Sequence, residues 1–192
     1  MRPHADKVFA GEYDAPVNFR NPPNILDIGS NIGWFTLWAG ARWAGAKIVA
    51  YEPHPDNAAA WAINCAALVN SQRATLVQAA VTDRDGEVNL HDGVNNCGEA
   101  SVVFQHATSV RRVRTVPAQQ LPACDVLKID TEGCEPMILK YYRHLASCPL
   151  IVLEFHSSPG RDAITRLLEP SHRLCELRNW WPEIGVMKWM KR

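Results

Sequence analysis

The sequence predicts a doubly wound α/β fold, with a seven-stranded, mostly parallel sheet that ends in an antiparallel hairpin. Three observations carry this reading. From Asn24 onward, apolar runs of strand length alternate with segments of helical period. Several runs, such as Leu150 to Phe155, are nearly continuous in hydrophobic character, as strands covered on both faces of a parallel sheet are. The last two strand candidates are joined by a link, Asn179 to Glu183, that is too short for a parallel crossover.

The elements follow in order. Residues 1–23 are polar and irregular and read as an N-terminal arm, which Asn21-Pro22-Pro23 closes by blocking helix and favouring extended backbone. Residues 24–192 form a single domain. Strands are predicted at Asn24 to Ile28, Lys47 to Tyr51, Ala74 to Ala80, Asp125 to Asp130 and Leu150 to Phe155. Helices are predicted at about Gly33 to Trp43, Asp56 to Val69, Glu135 to Ala146 and Arg161 to Leu168. The helix near Glu135 carries Pro136 in its first turn, where an N–H is not needed, and can gather Met137, Ile138, Tyr141, Tyr142 and Leu145 on one face. Residues 84–116 show no helical period. Gly86 to His91, Ser101 to Gln105 and Val110 to Val116 read there as short extended pieces between Asp-Gly and Asn-Asn turns, a β insertion. His172 to Leu177 and Ile184 to Met190 form the terminal hairpin.

Composition narrows the function classes. A chain of 192 residues, 47% hydrophobic and 21% charged, has the size and balance of one self-sufficient core. Twenty basic and twenty acidic residues cancel, so net charge does not advertise nucleic acid or an acidic membrane as a partner. No apolar run is long enough for a membrane span or a signal peptide, and six scattered cysteines show neither CxxC pairs nor zinc-ligand spacing. A soluble, cytoplasmic protein with reduced thiols is expected.

The most informative stretch is Asp27 to Gly33, DIGSNIG, at the end of the first strand and the start of the first helix. A glycine turn there lets backbone approach a ligand, and the helix N-terminus offers free N–H groups to an anionic group. The middle glycine of the GxGxxG dinucleotide fingerprint is absent, which disfavours a pyrophosphate. Glu52 ends the second strand before Pro53-His54-Pro55, where an acid can accept hydrogen bonds from both hydroxyls of a ribose. Glycine turn and ribose acid together describe a nucleoside joined to a carboxylate, as in S-adenosylmethionine. Two further motifs end the fourth and fifth strands, Lys128 to Glu135 (KIDTEGCE) and Leu153 to His156 (LEFH). Ligands of open α/β sheets bind beyond the carboxyl ends of the strands, so Asp130, Glu132, Glu154 and His156 should converge on the crevice. Alternatively, Lys128 and Glu154 form a buried structural ion pair across neighbouring strands.

The ordered set DIGSNIGWF, YEPHPDN, VTDRDGEV, LKIDTEGCE and IVLEFH, over about Asn24 to His156, resembles the FkbM family of S-adenosylmethionine-dependent methyltransferases. The resemblance implies the class I methyltransferase Rossmann-like fold and O-methylation of hydroxyls on sugars, polyketides or other small molecules. By motif position, Asp27, Gly29, Ser30, Asn31 and Gly33 would hold the amino-acid end of the cofactor, with Asp130 nearby. Glu52 and Pro53 would serve the ribose, and the stretch from Gln78 through Ala80 to Val81 the adenine.

A hydroxyl acceptor must lose its proton. His156 is the expected base because imidazole titrates nearest neutrality, with Asp130, Glu132 or Glu154 orienting it or taking the proton; it could equally be a hydrogen-bonded supporting residue. The same acidic cluster could hold Mg²⁺. Trp180, Trp181 and Trp189 surround the hairpin, where ordinary packing, a sugar platform or a homodimer surface are all open. Arg111, Arg112 and Arg114 read as a solvated face or a phosphate contact. Two rival classes are a binding module without turnover and a nucleic-acid methyltransferase. The latter lacks the Asn/Asp-Pro-Pro-aromatic tetrad of base methylases, since Asp130-Thr131-Glu132-Gly133 stands there.

Overall fold

A computed structural model describes residues 11–91, 101–102 and 109–192. The first half of the main sheet is built from β1 (Asn24–Ile28), α1 (Trp34–Arg42), β2 (Lys47–Tyr51), α2 (Pro55–Asn64), α3 (Ala66–Asn70) and β3 (Ala74–Val77). Then come β4 (Ala80–Thr82), β5 (Gly86–His91) and β6 (Val110–Pro117). The second half holds β7 (Val126–Ile129), α4 (Glu135–Tyr141), β8 (Leu150–Phe155), α5 (Ser158–Leu168), β9 (His172–Trp181) and β10 (Ile184–Lys191).

The seven-stranded sheet has the order β3-β2-β1-β7-β8-β10-β9. Its first five strands are parallel, and β10 runs antiparallel to both β8 and β9. Because the chain winds outward from β1 to β3 and then from β7 the other way, the carboxyl ends of β1 and β7 flank a topological switch point. All residues of β7 and β8 are buried, which explains runs that are apolar except for Lys128 and Glu154. One core cluster joins the sheet to α4 and α5 through Ile129, Ile138, Leu153, Ile164 and Trp189. The other joins it to α1 and α2 through Ile25, Phe35, Trp38, Ile48 and Trp61.

Several element ends differ from the sequence reading. The third strand stops at Val77, and Ala80 to Thr82 pairs with β6 in a second sheet of order β4-β6-β5, so the predicted run of Ala74 to Ala80 serves two sheets. The β insertion is therefore anchored by a strand just ahead of it. Of the predicted piece Ser101 to Gln105, Ser101 bridges to His91 and the remainder beyond Val102 lies outside the described residues. The long helix predicted over Asp56 to Val69 breaks at Cys65, whose thiol approaches the Gly33 carbonyl at 3.8 Å. α4 ends at Tyr141 because the next tyrosine, Tyr142, turns extended and donates its hydroxyl to Pro122 O at 2.9 Å. α5 starts earlier than expected, since the Ser157 hydroxyl caps Gly160 N at 3.1 Å and Pro159 occupies the first turn.

The expected arm also contributes to the core. Tyr13 is buried edge-on against Phe35, with ring centroids 5.0 Å apart, and Asp14 O accepts from buried Lys188 Nζ at 2.6 Å. Among the described residues, no helix is long and apolar enough to cross a membrane.

Gly33 is where helix α1 meets α2. Its φ is +96°, and an added Cβ would lie 2.7 Å from Cys65 Sγ and 2.9 Å from Trp61 Cδ1. Backbone strain and overpacking act together there, so Gly33→Ala should lower stability by about 2–4 kcal/mol in denaturant melts. A wild-type midpoint for this variant would show that the contact between α1 and α2 is looser than described.

Candidate cofactor and catalytic site

The site begins with the close approach of β1 and β7. Gly29 has φ +74°, and a Cβ there would fall 1.7 Å from Asp130 O, so only glycine lets the turn lie against the end of β7. Gly29 N and Ser30 N both donate to Tyr51 O at 3.0 Å, which ties the turn to β2 as well. Asn31 takes a left-handed conformation, φ 50°, and donates its N–H to Glu52 Oε2 at 2.8 Å. Glu52 Oε1 accepts from His54 N at 2.8 Å and from Asn57 Nδ2 at 3.5 Å. Burial pushes the Glu52 pKa up, while the N–H groups of His54 and Asn31 and the Lys128 charge oppose the rise.

Glu52 opens onto a crevice beyond the carboxyl ends of β1, β2 and β7. Gly29, Asn31 and Pro53 line it beside Glu52, and Tyr51, Ala79, Ala80, Val81, Leu90 and Val102 give one apolar wall. Asp130, Thr131 and Glu132 form the opposite rim. A second, small recess shares Gly29, Asn31 and Asp130 with the crevice and adds Tyr13, Ser30, Trp34, Phe35 and Lys128.

Three residues expected at the cofactor lie outside the crevice lining. Asp27 is fully buried beneath the turn, where its Oδ2 accepts from Thr36 Oγ1 at 2.7 Å and its Oδ1 lies 3.3 Å from Lys128 Nζ. Gly33 packs against α2 instead of lining the crevice, and Gln78 is exposed outside the lining. The alternative pairing of Lys128 with Glu154 gives way to another: Lys128 binds Asp27, sits 3.7 Å from Asp130 and donates to Gly29 O at 2.6 Å. Burial alone would lower the Lys128 pKa, but Asp27, Asp130 and Glu154 outweigh it and raise it. In the insertion, Arg112 pairs with Glu87 and Arg111 reaches Asp56 at 3.8 Å.

His156 lies at the centre of the acidic group. Its Nε2 is 3.3 Å from Glu132 and 3.8 Å from Asp130, and its Nδ1 is 3.3 Å from Glu135. Burial would lower its pKa, yet the contact with Glu135 and the charges of Glu132 and Asp130 push it up to about 10. The premise that this imidazole titrates near neutrality is thereby corrected. Glu135, which sequence reasoning passed over, also organises the loop: Oε1 accepts from Thr131 N at 2.9 Å, Thr131 Oγ1 at 3.1 Å and Gly133 N at 3.1 Å. Its sequence signal was an acid in the first helical turn behind a Thr and a Gly. Glu132 has φ 53°, and Ser101 from the insertion donates its hydroxyl to Glu132 O at 2.7 Å. Glu154 sits apart from the crevice lining; Tyr13 donates to its Oε1 at 3.1 Å, and burial followed by the Asp130 charge holds it well above the usual carboxylate range. Asp130, Glu132 and His156 each offer a ligand atom within 4.8 Å of the others, and a metal would have to displace the imidazole proton.

The family described as the Methyltransferase FkbM domain matches residues 27–180. The chain belongs to this family. The structure is similar to methyltransferase FkbM from Methylobacillus flagellatus KT, with a TM-score of 0.72 and 17% identity over 95% of this chain and 47% of that one. This FkbM-domain chain thus spans about half the length of that relative. It is also similar to precorrin-6y C5,15-methyltransferase from Geobacter metallireducens GS-15, at TM-score 0.57 and 14% identity, covering 98% of this chain and 87% of that one. Ribosomal protein L11 methylase from Lactobacillus delbrueckii subsp. bulgaricus gives TM-score 0.56 and 15% identity, over 96% and 77% of the two chains. At such identities the likeness is one of fold, the class I methyltransferase fold. Among curated proteins no match was found. The described crevice sets a buried carboxylate held by N–H donors beside an apolar wall, a lining that suits a nucleoside-bearing cofactor.

The folded pKa of His156 lies above the ordinary 6.5, so its ion-pair contribution to stability is fully present below about pH 6.5 and is lost as pH rises through about 10. In this FkbM-domain chain, a ring-labelled NMR titration should find His156 still protonated at pH 8, with Glu135→Gln shifting its midpoint downward. A wild-type midpoint near 6.5 would show that the three carboxylates do not hold the ring as described.

Proposed function

We propose that the protein is an S-adenosylmethionine-dependent O-methyltransferase acting on a hydroxyl of a small molecule or glycan. The observation that supports this best is the placing of two carboxylates, Asp130 and Glu132, on the rim opposite Glu52 in a single crevice. Glu52 would accept the ribose hydroxyls of the cofactor, with Pro53 beside it. Tyr51, Ala79, Ala80, Val81 and Leu90 would cover the base, and Gly29, Ser30, Asn31 and Asp130 would receive the amino-acid end. When bound, the cofactor supplies an electrophilic methyl group.

The chain's own residues then have to hold the acceptor and take its proton. In this reading the carboxylate of Glu132 or Asp130 accepts the hydroxyl proton, while His156, carrying its own proton, keeps both carboxylates oriented. His156 is thus a positioning group in the resting enzyme. The trio of Asp130, Glu132 and His156 would bind Mg²⁺ only after the ring is deprotonated, and would then polarise the acceptor oxygen. Loss of turnover in chelator, restored by Mg²⁺, would select that variant of the mechanism.

The deciding assay is transfer of a labelled methyl group to a panel of hydroxylated sugars and natural products. Binding of S-adenosylhomocysteine without transfer to any acceptor would favour a binding module, and labelling of RNA or DNA alone would favour the nucleic-acid class. Two variants should separate the roles. Glu52→Ala should weaken S-adenosylhomocysteine binding roughly tenfold or more by calorimetry, as expected for loss of charge-assisted hydrogen bonds. Glu132→Gln should leave that affinity unchanged and reduce transfer by about 10²-fold or more; equal loss of both properties would remove the distinction.

A further inference from the structure

β9 forms one border of the seven-stranded sheet, and among the described residues its only paired neighbour is β10. The outer backbone edge of this ten-residue strand therefore offers a row of N–H and C=O groups. Its side chains are unusually apolar for such a place: Leu174 is 42%, Leu177 45% and Trp181 60% exposed. The register sets Leu177 opposite Met187 and Leu174 opposite Trp189, two residues of the core cluster shared with α4 and α5. The leucines thus extend the covered apolar face outward to the sheet border. Glu176 and Arg178 pair with Lys188 and Val186 and so belong to the other face. Glu176 lies 2.8 Å from Lys188 and 2.7 Å from Arg178. Irregularities at Cys175 and Trp180 bound a regular stretch, Glu176 to Asn179.

Any strand could add to an open edge, but the charges on this one are complementary to themselves. An antiparallel copy related by a two-fold axis through Leu177 sets leucine against leucine on one face. On the other face it sets Glu176 against Arg178 of the second copy, twice over. An axis through Glu176 or Arg178 would stack like charges, and a slip by one residue would bring the apolar face against the charged one. We propose that β9 pairs with β9 of a second copy of this chain about Leu177, joining the two sheets edge to edge. Trp189 is buried in the core and takes no part, while Trp181 lies toward the end of the paired segment. So short a regular stretch buries little area, which places the dimer in the weak class, with dissociation in the micromolar range.

Sedimentation velocity over a concentration series should show a reversible change from one to two chain masses. Arg178→Glu sets Glu against Glu at both ends of the pairing and should weaken the dimer roughly tenfold or more, with circular dichroism and melting temperature unchanged. Register is read by cross-linking in a Cys175→Ser background. Leu177→Cys should form an intermolecular disulfide under mild oxidation, while Leu174→Cys, whose copies would stand roughly 20 Å apart, should not. A wild-type chain that stays monomeric into the submillimolar range, a dimer indifferent to Arg178→Glu, or equal cross-linking at both positions would overturn the proposal.

Discussion

Lys128 is a buried cation between Asp27 on β1 and Asp130 just beyond β7, with its third contact on the carbonyl of Gly29. Taking three such charges out of water costs several kcal/mol per ion before their attraction is counted, so the net gain in stability is small. The consequence is geometric. The lysine ties Asp27 under the glycine turn to Asp130 and, through the Gly29 carbonyl, draws the turn onto the end of β7. Without it, the carboxylates of Asp27 and Asp130 would lie at adjacent strand ends with no cation between them.

From that lysine a chain of alternating charge runs outward to the crevice. Lys128 neighbours Asp130, Asp130 and Glu132 neighbour His156, and His156 neighbours Glu135, which in turn binds the loop from Thr131 to Gly133. Each cation is flanked by anions, and this explains why burial fails to strip the proton from either Lys128 or His156. The insertion joins this arrangement through Ser101, whose hydroxyl holds the Glu132 carbonyl. The N-terminal stretch joins it through Tyr13, whose hydroxyl meets Glu154. Segments far apart in the chain therefore meet around these charges.

The sequence made much of this legible. Nearly continuous apolar runs told that β7 and β8 are covered on both sides, the glycine turn located the switch point, and the acid after β2 marked the side of the crevice where a ribose would lie. Strand-end position brought Asp130, Glu132 and His156 together. What remained hidden were partners. Nothing local to Tyr13 points to Glu154, which stands 141 residues away. Gln78 occupies a plausible strand end, yet the chain leaves the main sheet at Val77, and the following residues, not Gln78, face the crevice.

By itself, then, the sequence determined the order of strands and helices, the place of the glycine turn and the residue types at the strand ends, because periodicity, turn chemistry and hydrophobicity are local properties. The tertiary structure decided which charges meet. It gave Lys128 to Asp27 instead of Glu154, surrounded His156 with three carboxylates, and buried Tyr13 in the core. Protonation and pairing depend on burial and on distances of a few ångströms across different elements, and no linear spacing encodes those distances.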